Sequence, residues 1–327
     1  MLNPSLFLNP KIFDADVEQK PTRDGFGDAL VDLGKTNRDV VVLSADLMES
    51  TRCEAFAKAY PERFFECGVA EQNMAAIASG LAVSGKVPFI SSYATFSPGK
   101  NWETIRTTIV YNEANVKIAG HHSGIVTGPD GATHQATEDI AIVRCWPGVT
   151  VLVPCDSLEA ERATVASSLI NGPVYLRFTR DKTPQITTAK TPFLGQAQEF
   201  WQANSPVATI FATGHMLYYA LLAANKLASQ KVDVNVVNIA SIKPLDEQGI
   251  LSAVSKSKHA VVVEDHQIMG GLGGALSEFF ARTMPVPMEF IGLQDTFAES
   301  GKPVELIKKY GMDDDAIVNA VRKVVAR

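Results

Sequence analysis

The sequence predicts an α/β protein of two doubly wound domains, and three observations carry that prediction. Short apolar runs of strand length, among them Val40–Leu43, Val87–Ile90 and Val116–Ala119, recur along the chain, as in strands buried on both faces of a parallel sheet. Segments with apolar residues at helical spacing lie between them, and strands alternating with helices indicate a parallel sheet covered on both sides. The alternation fails once, between Thr179 and Ser205, where Pro184, Pro192 and Gly195 fall, and then resumes. With 327 residues the chain is about twice a typical domain. The expected division is an N-terminal arm over residues 1–19, a mainly parallel domain over 20–195 and a smaller α/β domain over 196–327.

Each element has its own reason. Thr22 is placed to cap a helix that runs towards Leu33, with Gly34 near its end. The strand Val40–Leu43 leads into Ser44-Ala-Asp46, with polar residues at the strand's carboxyl end. A helix over 54–59 stops at Tyr60-Pro61. The stretch FECGVAEQNMAAIASG then opens as a short buried strand ending at Cys67. Gly68 breaks it, and Met74, Ile77, Ala78 and Leu81 mark a helix whose first turn carries Glu71. Further strands are expected at Val87–Ile90, Val116–Ala119, Val149–Val153 and Val174–Phe178, with helices over 102–110 and 158–169. Beyond the break come strands over 207–211, 232–239 and 259–263 and helices over 216–228, 304–310 and 316–325. The cluster Gly270–Gly274 lies between a strand and a helix. It does not match G-x-G-x-x-G, and a tight turn is the better reading than a phosphate cradle.

Composition excludes several classes. Hydrophobic residues make up 46% and charged residues 20%, and the net charge is −6 without a Lys/Arg run, which argues against nucleic acid as a partner. No apolar stretch approaches the roughly 20 residues that span a bilayer, so no membrane association is expected. The first residues, MLNPSLFLNPKIFDADVEQK, lack the basic start of a secretory signal and read as an arm that packs on a neighbouring surface. Cys53, Cys67, Cys145 and Cys155 have no metal-ligand spacing, so reduced thiols, a cytoplasmic location and no metal site on this chain are expected.

Two stretches point to chemistry. Glu71 opens a helix at the carboxyl end of a strand, where open α/β sheets build their sites; on its own it would be read as a residue that favours the helix dipole. The loop HHSGIVTGPDGATHQATED follows the strand ending at Ala119 and holds half of the six histidines. His122, Asp130 and His134 among Gly124, Gly128 and Gly131 suit a site for a polar small molecule.

GVAEQNMAAIASGLA, then YATF, then H-x-G-x-x-x-G-x-D-G-x-T-H-Q resembles, in order and spacing, the pyrimidine-binding domain of transketolase. FAESGKPVELIKKYG resembles part of that family's C-terminal domain. The resemblance covers nearly the whole chain beyond about residue 20. It implies thiamine diphosphate as cofactor, bound here on its pyrimidine side, where the cofactor acts as an electron sink. It implies that Glu71 hydrogen-bonds the aminopyrimidine ring nitrogen and that Phe96 stacks on the ring, with Trp102 as a second aromatic and Asp46 near the cofactor at the subunit interface. An aromatic residue that the family carries between those two is replaced by Gly99. Asp130 and His134 match residues that contact the sugar hydroxyls, and His134 suits proton transfer there. Arg23, Ser50, His122 and Arg180 match the ring that holds a sugar's terminal phosphate, a task for arginine's planar fork.

The family's GDG motif for the cofactor's diphosphate and its cation is absent from this sequence. The resemblance is therefore to the carboxyl half of transketolase. It implies an N-terminal, diphosphate-binding subunit as partner, carrying Mg²⁺ or Ca²⁺, and sugar phosphates as substrates. A homodimeric core within a heterotetramer and inactivity of the chain by itself follow as expectations. Deoxyxylulose-phosphate synthase shares both stretches but carries arginine at the position of His122. The beta subunits of 2-oxo acid dehydrogenases lack the D-G-x-T-H-Q loop. A half that only binds a partner would need none of Glu71, Phe96, Asp130 and His134.

Overall fold

The computed structural model describes residues 1–193 and 195–327. Its strands are β1 (Gln19–Lys20), β2 (Val40–Ser44), β3 (Phe64–Glu66), β4 (Val87–Tyr93), β5 (Lys117–His121), β6 (Thr150–Leu152) and β7 (Val174–Arg177). After them come β8 (Thr183–Pro184), β9 (Gln198–Trp201), β10 (Ala208–Ala212), β11 (Val234–Asn238), β12 (Ser241–Lys243), β13 (Ala260–Gln267) and β14 (Met288–Leu293). The helices are α1 (Thr22–Thr36), α2 (Glu54–Ala59), α3 (Glu71–Val83), α4 (Trp102–Thr104), α5 (Asp139–Arg144) and α6 (Ser157–Leu169). The last five are α7 (Met216–Ser229), α8 (Glu247–Ser255), α9 (Leu272–Arg282), α10 (Pro303–Lys309) and α11 (Asp314–Val325). The class is the α/β arrangement that alternation predicts: a seven-stranded sheet in the order β12-β6-β7-β5-β4-β2-β3 and a five-stranded sheet in the order β14-β13-β10-β11-β9.

Strands β2 to β7 of the first sheet run parallel, so their carboxyl ends share one edge. The central strands are wholly buried, β2 and β5 along their full length, as helices on both faces require. One apolar cluster, with Phe26, Val42, Phe89 and Phe178, fills the side against α1 and α6. Another, with Met74, Ile105, Ile118 and Trp146, fills the opposite side and continues into the second sheet through Phe211, Val237 and Val262. The two halves therefore share a core.

The structure departs from the sequence reading in specific places. β3 is the outermost strand of its sheet and lies exposed rather than buried, with Phe65 at 37% exposure. Thr22 does not cap its helix; its hydroxyl pairs with Thr179 Oγ1 at 3.0 Å and accepts the Thr179 amide at 2.7 Å. The run 232–239 ends as a strand at Asn238, and the chain turns so that β12 adds antiparallel to β6 of the first sheet. β9 adds antiparallel to β11. The arm docks on the second sheet, where Leu2 bridges Trp201 and Leu6 and Ile12 enter the second core.

Gly270–Gly274 holds a carboxylate of the chain itself. Buried Glu264 accepts the Leu272 amide at 2.7 Å and the Gly273 amide at 2.8 Å, which gives the first donors of α9 their partners. A Cβ on Gly271 would strike Glu264 Oε2. The glycines let the helix start approach that carboxylate, as the tight-turn reading holds.

Candidate active site

The site residues gather along the carboxyl edge of the seven-stranded sheet. Glu71 follows β3, Phe96 follows β4, His122 to His134 follow β5 and Arg180 follows β7. Glu71 is the first residue of α3 and only 2% exposed. Lys100 Nζ donates to its Oε2 at 3.0 Å, and Asn101 Nδ2 donates to its backbone carbonyl at 2.9 Å. The Asn101 amide bonds the Phe96 carbonyl at 3.2 Å, so one turn ties the buried carboxylate to the Phe96 ring.

Aromatic and imidazole rings assemble beside it. Tyr93 stacks on Phe96 with centroids 5.6 Å apart and on His122 at 3.7 Å. His134 meets Phe96 edge-on at 5.4 Å. His122 lies at φ 55°, a left-handed conformation uncommon outside glycine, and Thr127 Oγ1 fixes its carbonyl at 2.6 Å. Burial, helped by the positive charges of Arg23 and Arg180, pushes the His122 imidazole down to about 3. It is a neutral ring at physiological pH. Its Nδ1 is buried and has no partner among the described residues.

The cationic residues frame this cluster. Arg180 Nε lies 3.6 Å from Asp130 and its Nη1 donates to the Thr127 carbonyl at 3.3 Å. Arg23 Nη1 donates to the Ser50 carbonyl at 2.7 Å, and burial lowers the proton affinity of its guanidinium. The structure thus brings Arg23, Ser50, His122, Asp130, His134 and Arg180 into one neighbourhood. Ser50 takes part there through its backbone oxygen.

Trp102 and Asp46 sit in contrasting surroundings. Trp102 turns into the core. Its Nε1 donates to the Ile142 carbonyl at 2.8 Å and its ring packs on Trp146 at 5.3 Å, so its polar atom is already spent. Asp46 is exposed in the loop after β2, at φ 61°, with its amide held by Glu66 Oε1 at 2.7 Å. Gly99 has no room for the aromatic side chain that the resemblance puts there, since a Cβ would strike the Thr95 carbonyl. Tyr93 and Lys100 went unassigned in the sequence reading. The place of Tyr93 at the end of its strand, in YATF, was the available signal; Lys100 offered none.

The second half of the chain positions the histidine loop. Asp265 of β13 accepts the Ile125 amide at 2.9 Å and the Val126 amide at 3.4 Å. Gly124, at φ 78°, passes so close that a Cβ would strike that carboxylate. His215 Nε2 lies 3.0 Å from Asp265 Oδ2, the oxygen that also accepts the Val126 amide. Gln135 Nε2 donates to the Glu299 carbonyl at 3.1 Å, which joins D-G-x-T-H-Q to the FAESGKP segment. Beneath them Arg177 grips Asp139 through Nε at 2.8 Å and Nη2 at 3.1 Å, and Nη2 also reaches the Asp265 carbonyl at 2.8 Å.

Known proteins resemble this chain along nearly its whole length. Residues 18–185 match the family model of the transketolase pyrimidine-binding domain and residues 202–317 that of the transketolase C-terminal domain. A proposed transketolase C-terminal section from Methanocaldococcus jannaschii is 42% identical over 92% of this chain and 95% of its own length. A 6-deoxy-6-sulfo-D-fructose transketolase subunit from a Clostridium species is 35% identical over 96% of this chain and 98% of its own. Among solved structures, a split-gene transketolase captured as an inactive β4 tetramer superposes with a TM-score of 0.86, at 37% identity over 94% of this chain and 99% of that one. With its buried glutamate, ring cluster and two matched domains, the chain belongs to the transketolase family.

Proposed function

We propose that this chain is the C-terminal subunit of a split transketolase. With a diphosphate-binding partner subunit it would transfer a two-carbon ketol unit between sugar phosphates, using thiamine diphosphate. The observation that carries this reading is the meeting of buried Glu71, the Tyr93–Phe96–His122–His134 rings and Arg180 on one sheet edge.

The residues present suit the cofactor's aminopyrimidine. Thr95 Oγ1, Asn101 Oδ1 and His122 Nδ1 are buried without partners among the described residues, whereas most buried polar atoms in proteins are bonded. A polar heterocycle would use that spare capacity, with Phe96 to stack on and Glu71 to hold a proton at a ring nitrogen. When bound, thiamine diphosphate supplies a stabilised carbanion. Glu71 would keep its shared proton away from water, because its carboxyl is buried. His134, hydrogen-bonded to Thr133 Oγ1 at 2.9 Å, would move protons at the sugar hydroxyls. His122, held neutral, would give or accept a hydrogen bond there without carrying charge. Arg180 and Arg23 would hold the sugar's phosphate.

The M. jannaschii relative bears the name of a C-terminal section, and the solved split-gene relative is an inactive tetramer of its β chain. Both support a chain that needs a second subunit, most simply in a heterotetramer around a homodimeric core, with Mg²⁺ or Ca²⁺ on the partner. The Clostridium relative is named for a sugar other than the pentose phosphates. Pentose phosphates are the substrates proposed here, since the arginines suit a phosphate.

Reconstitution tests the proposal. The purified chain is expected to be inactive with xylulose 5-phosphate and ribose 5-phosphate, and the chain plus its diphosphate-binding subunit active once thiamine diphosphate and Mg²⁺ are added. Activity of the chain alone, or none in the complex, would overturn it.

A further inference from the structure

We propose that Lys100 is a built-in stand-in for the cofactor's pyrimidine, occupying the Glu71 carboxylate until the ring displaces it. This inference rests on the thiamine diphosphate reading above and adds a device that governs filling of the same site.

A carboxylate that is 2% exposed needs a partner, because an unpaired buried charge is costly. Lys100 Nζ supplies one at 3.0 Å. The two ends of this pair sit in different surroundings. Glu71 is fixed at the head of α3 with its backbone held by Asn101, whereas the Lys100 side chain is 54% exposed. A lysine stem reaches a buried partner from the surface and withdraws into water at little cost. The pair is therefore hinged on the lysine side only.

The position of Lys100 makes that hinge consequential. It lies within the turn from Phe96 to Asn101, whose ring and amide border the same space. A ring stacked on Phe96 and bonded to Glu71 would need the carboxylate oxygen that Nζ now holds. An ammonium remaining there would also occupy the oxygen through which Glu71 is to share a proton with a ring nitrogen. Lys100 thus keeps the open pocket satisfied and opposes its filling, and binding must break one ion pair that is half in water.

The test is a calorimetric titration of thiamine diphosphate, with Mg²⁺, into the reconstituted complex. The wild type is compared with Lys100→Met, with Lys100→Arg, with Glu71→Gln and with the double variant that joins Glu71→Gln to Lys100→Met. Lys100→Met is expected to tighten binding by about two- to fivefold, the scale of a partly exposed ion pair. Lys100→Arg keeps the charge and is expected to stay with wild type. In the Glu71→Gln background the methionine should change nothing, since no charge is left to hold. Unchanged or weaker binding by Lys100→Met, or the same tightening in the Glu71→Gln background, would overturn the proposal. Absence of cofactor binding by every complex, wild type included, would instead remove the functional reading, and this inference with it.

Discussion

The carboxyl edges of the two parallel sheets are built alike and used differently. At the end of β13, Glu264 is bonded to the amides of α9, Asp265 to the histidine loop and His215, and His266 to the Gln267 carbonyl at 2.7 Å and the Ala141 amide at 3.3 Å. Among the described residues, that sheet leaves only Asn238 Oδ1 and Gln267 Oε1 without partners at its strand ends, whereas at the ends of β4 and β5 five buried atoms are left over: Ser92 Oγ, Thr95 Oγ1, Asn101 Oδ1, His121 Nδ1 and His122 Nδ1. Two buried histidines make the contrast clear. Burial holds both His122 and His215 near 3, yet His215 has a carboxylate partner and His122 Nδ1 has none. Polar groups with all their partners form a frame, and polar groups without them await something from outside the chain.

If that contrast holds, changes to the paired groups that join Asp139, Arg177 and Asp265 should unfold the protein, and changes among the site residues after β3 to β7 should disable it. The largest effect is expected from Arg177→Leu, which strands Asp139 in the core. Removing one member of a buried pair costs about 3–5 kcal/mol, read by denaturant unfolding. A loss below about 1 kcal/mol would mean that the frame does not depend on this pair. Glu71→Gln comes next. Turnover by the reconstituted complex should fall by about 10²-fold or more, the scale of proton-transfer catalysis, while the melting curve stays in place. Near-normal turnover would return Glu71 to the role of a residue that favours the helix dipole. Arg180→Ala should raise the KM for phosphorylated sugars by roughly 10- to 150-fold, one charge-assisted hydrogen bond's worth, and spare hydroxypyruvate. Equal losses with both donors would take Arg180 out of the phosphate ring.

The smallest effect concerns acid. His215 stays neutral in the fold, from its ordinary 6.5 down to about 3, whereas the unfolded chain takes up a proton below 6.5. Stability should therefore drop as pH falls from about 6.5 towards 3. His215→Gln should flatten that slope by about one proton. An unchanged slope would show that His215 does not report the frame's burial.

The parts of the site that follow from strand order were legible in the sequence. Glu71, Phe96 and the loop 122–134 each come directly after a strand, and in a parallel sheet that alone puts them on one edge. The parts that depend on side-chain direction were not. Trp102 sits at the spacing of a pocket aromatic, but the helix there passes into a wider π turn over Ile105–Val110, and the ring meets Trp146. Lys100 was unreadable because its partner lies 29 residues away, beyond both α3 and β4. β12 was missed for a related reason: Ile239–Lys243 continues the apolar pattern of β11, and no local signal says that its partner is β6, some ninety residues earlier. Edge placement misled the reading of β3, since an apolar run looks the same whether or not a second neighbour covers it.

The sewing of β12 onto β6 has a consequence for anyone dividing this protein. The outermost strand is three residues long, is interrupted by an irregular register and carries Lys243, whose ammonium is turned back to the Arg144 and Trp146 carbonyls. A short, bent, lysine-bearing margin of that kind discourages strand-to-strand association between molecules. A fragment that stopped near residue 195 would lose it. The buried Val151 and Leu152 of β6 would then form a bare margin with unpaired amides and carbonyls, and such a margin recruits other chains. The segment that guards the first half of the molecule against aggregation is thus carried by the second.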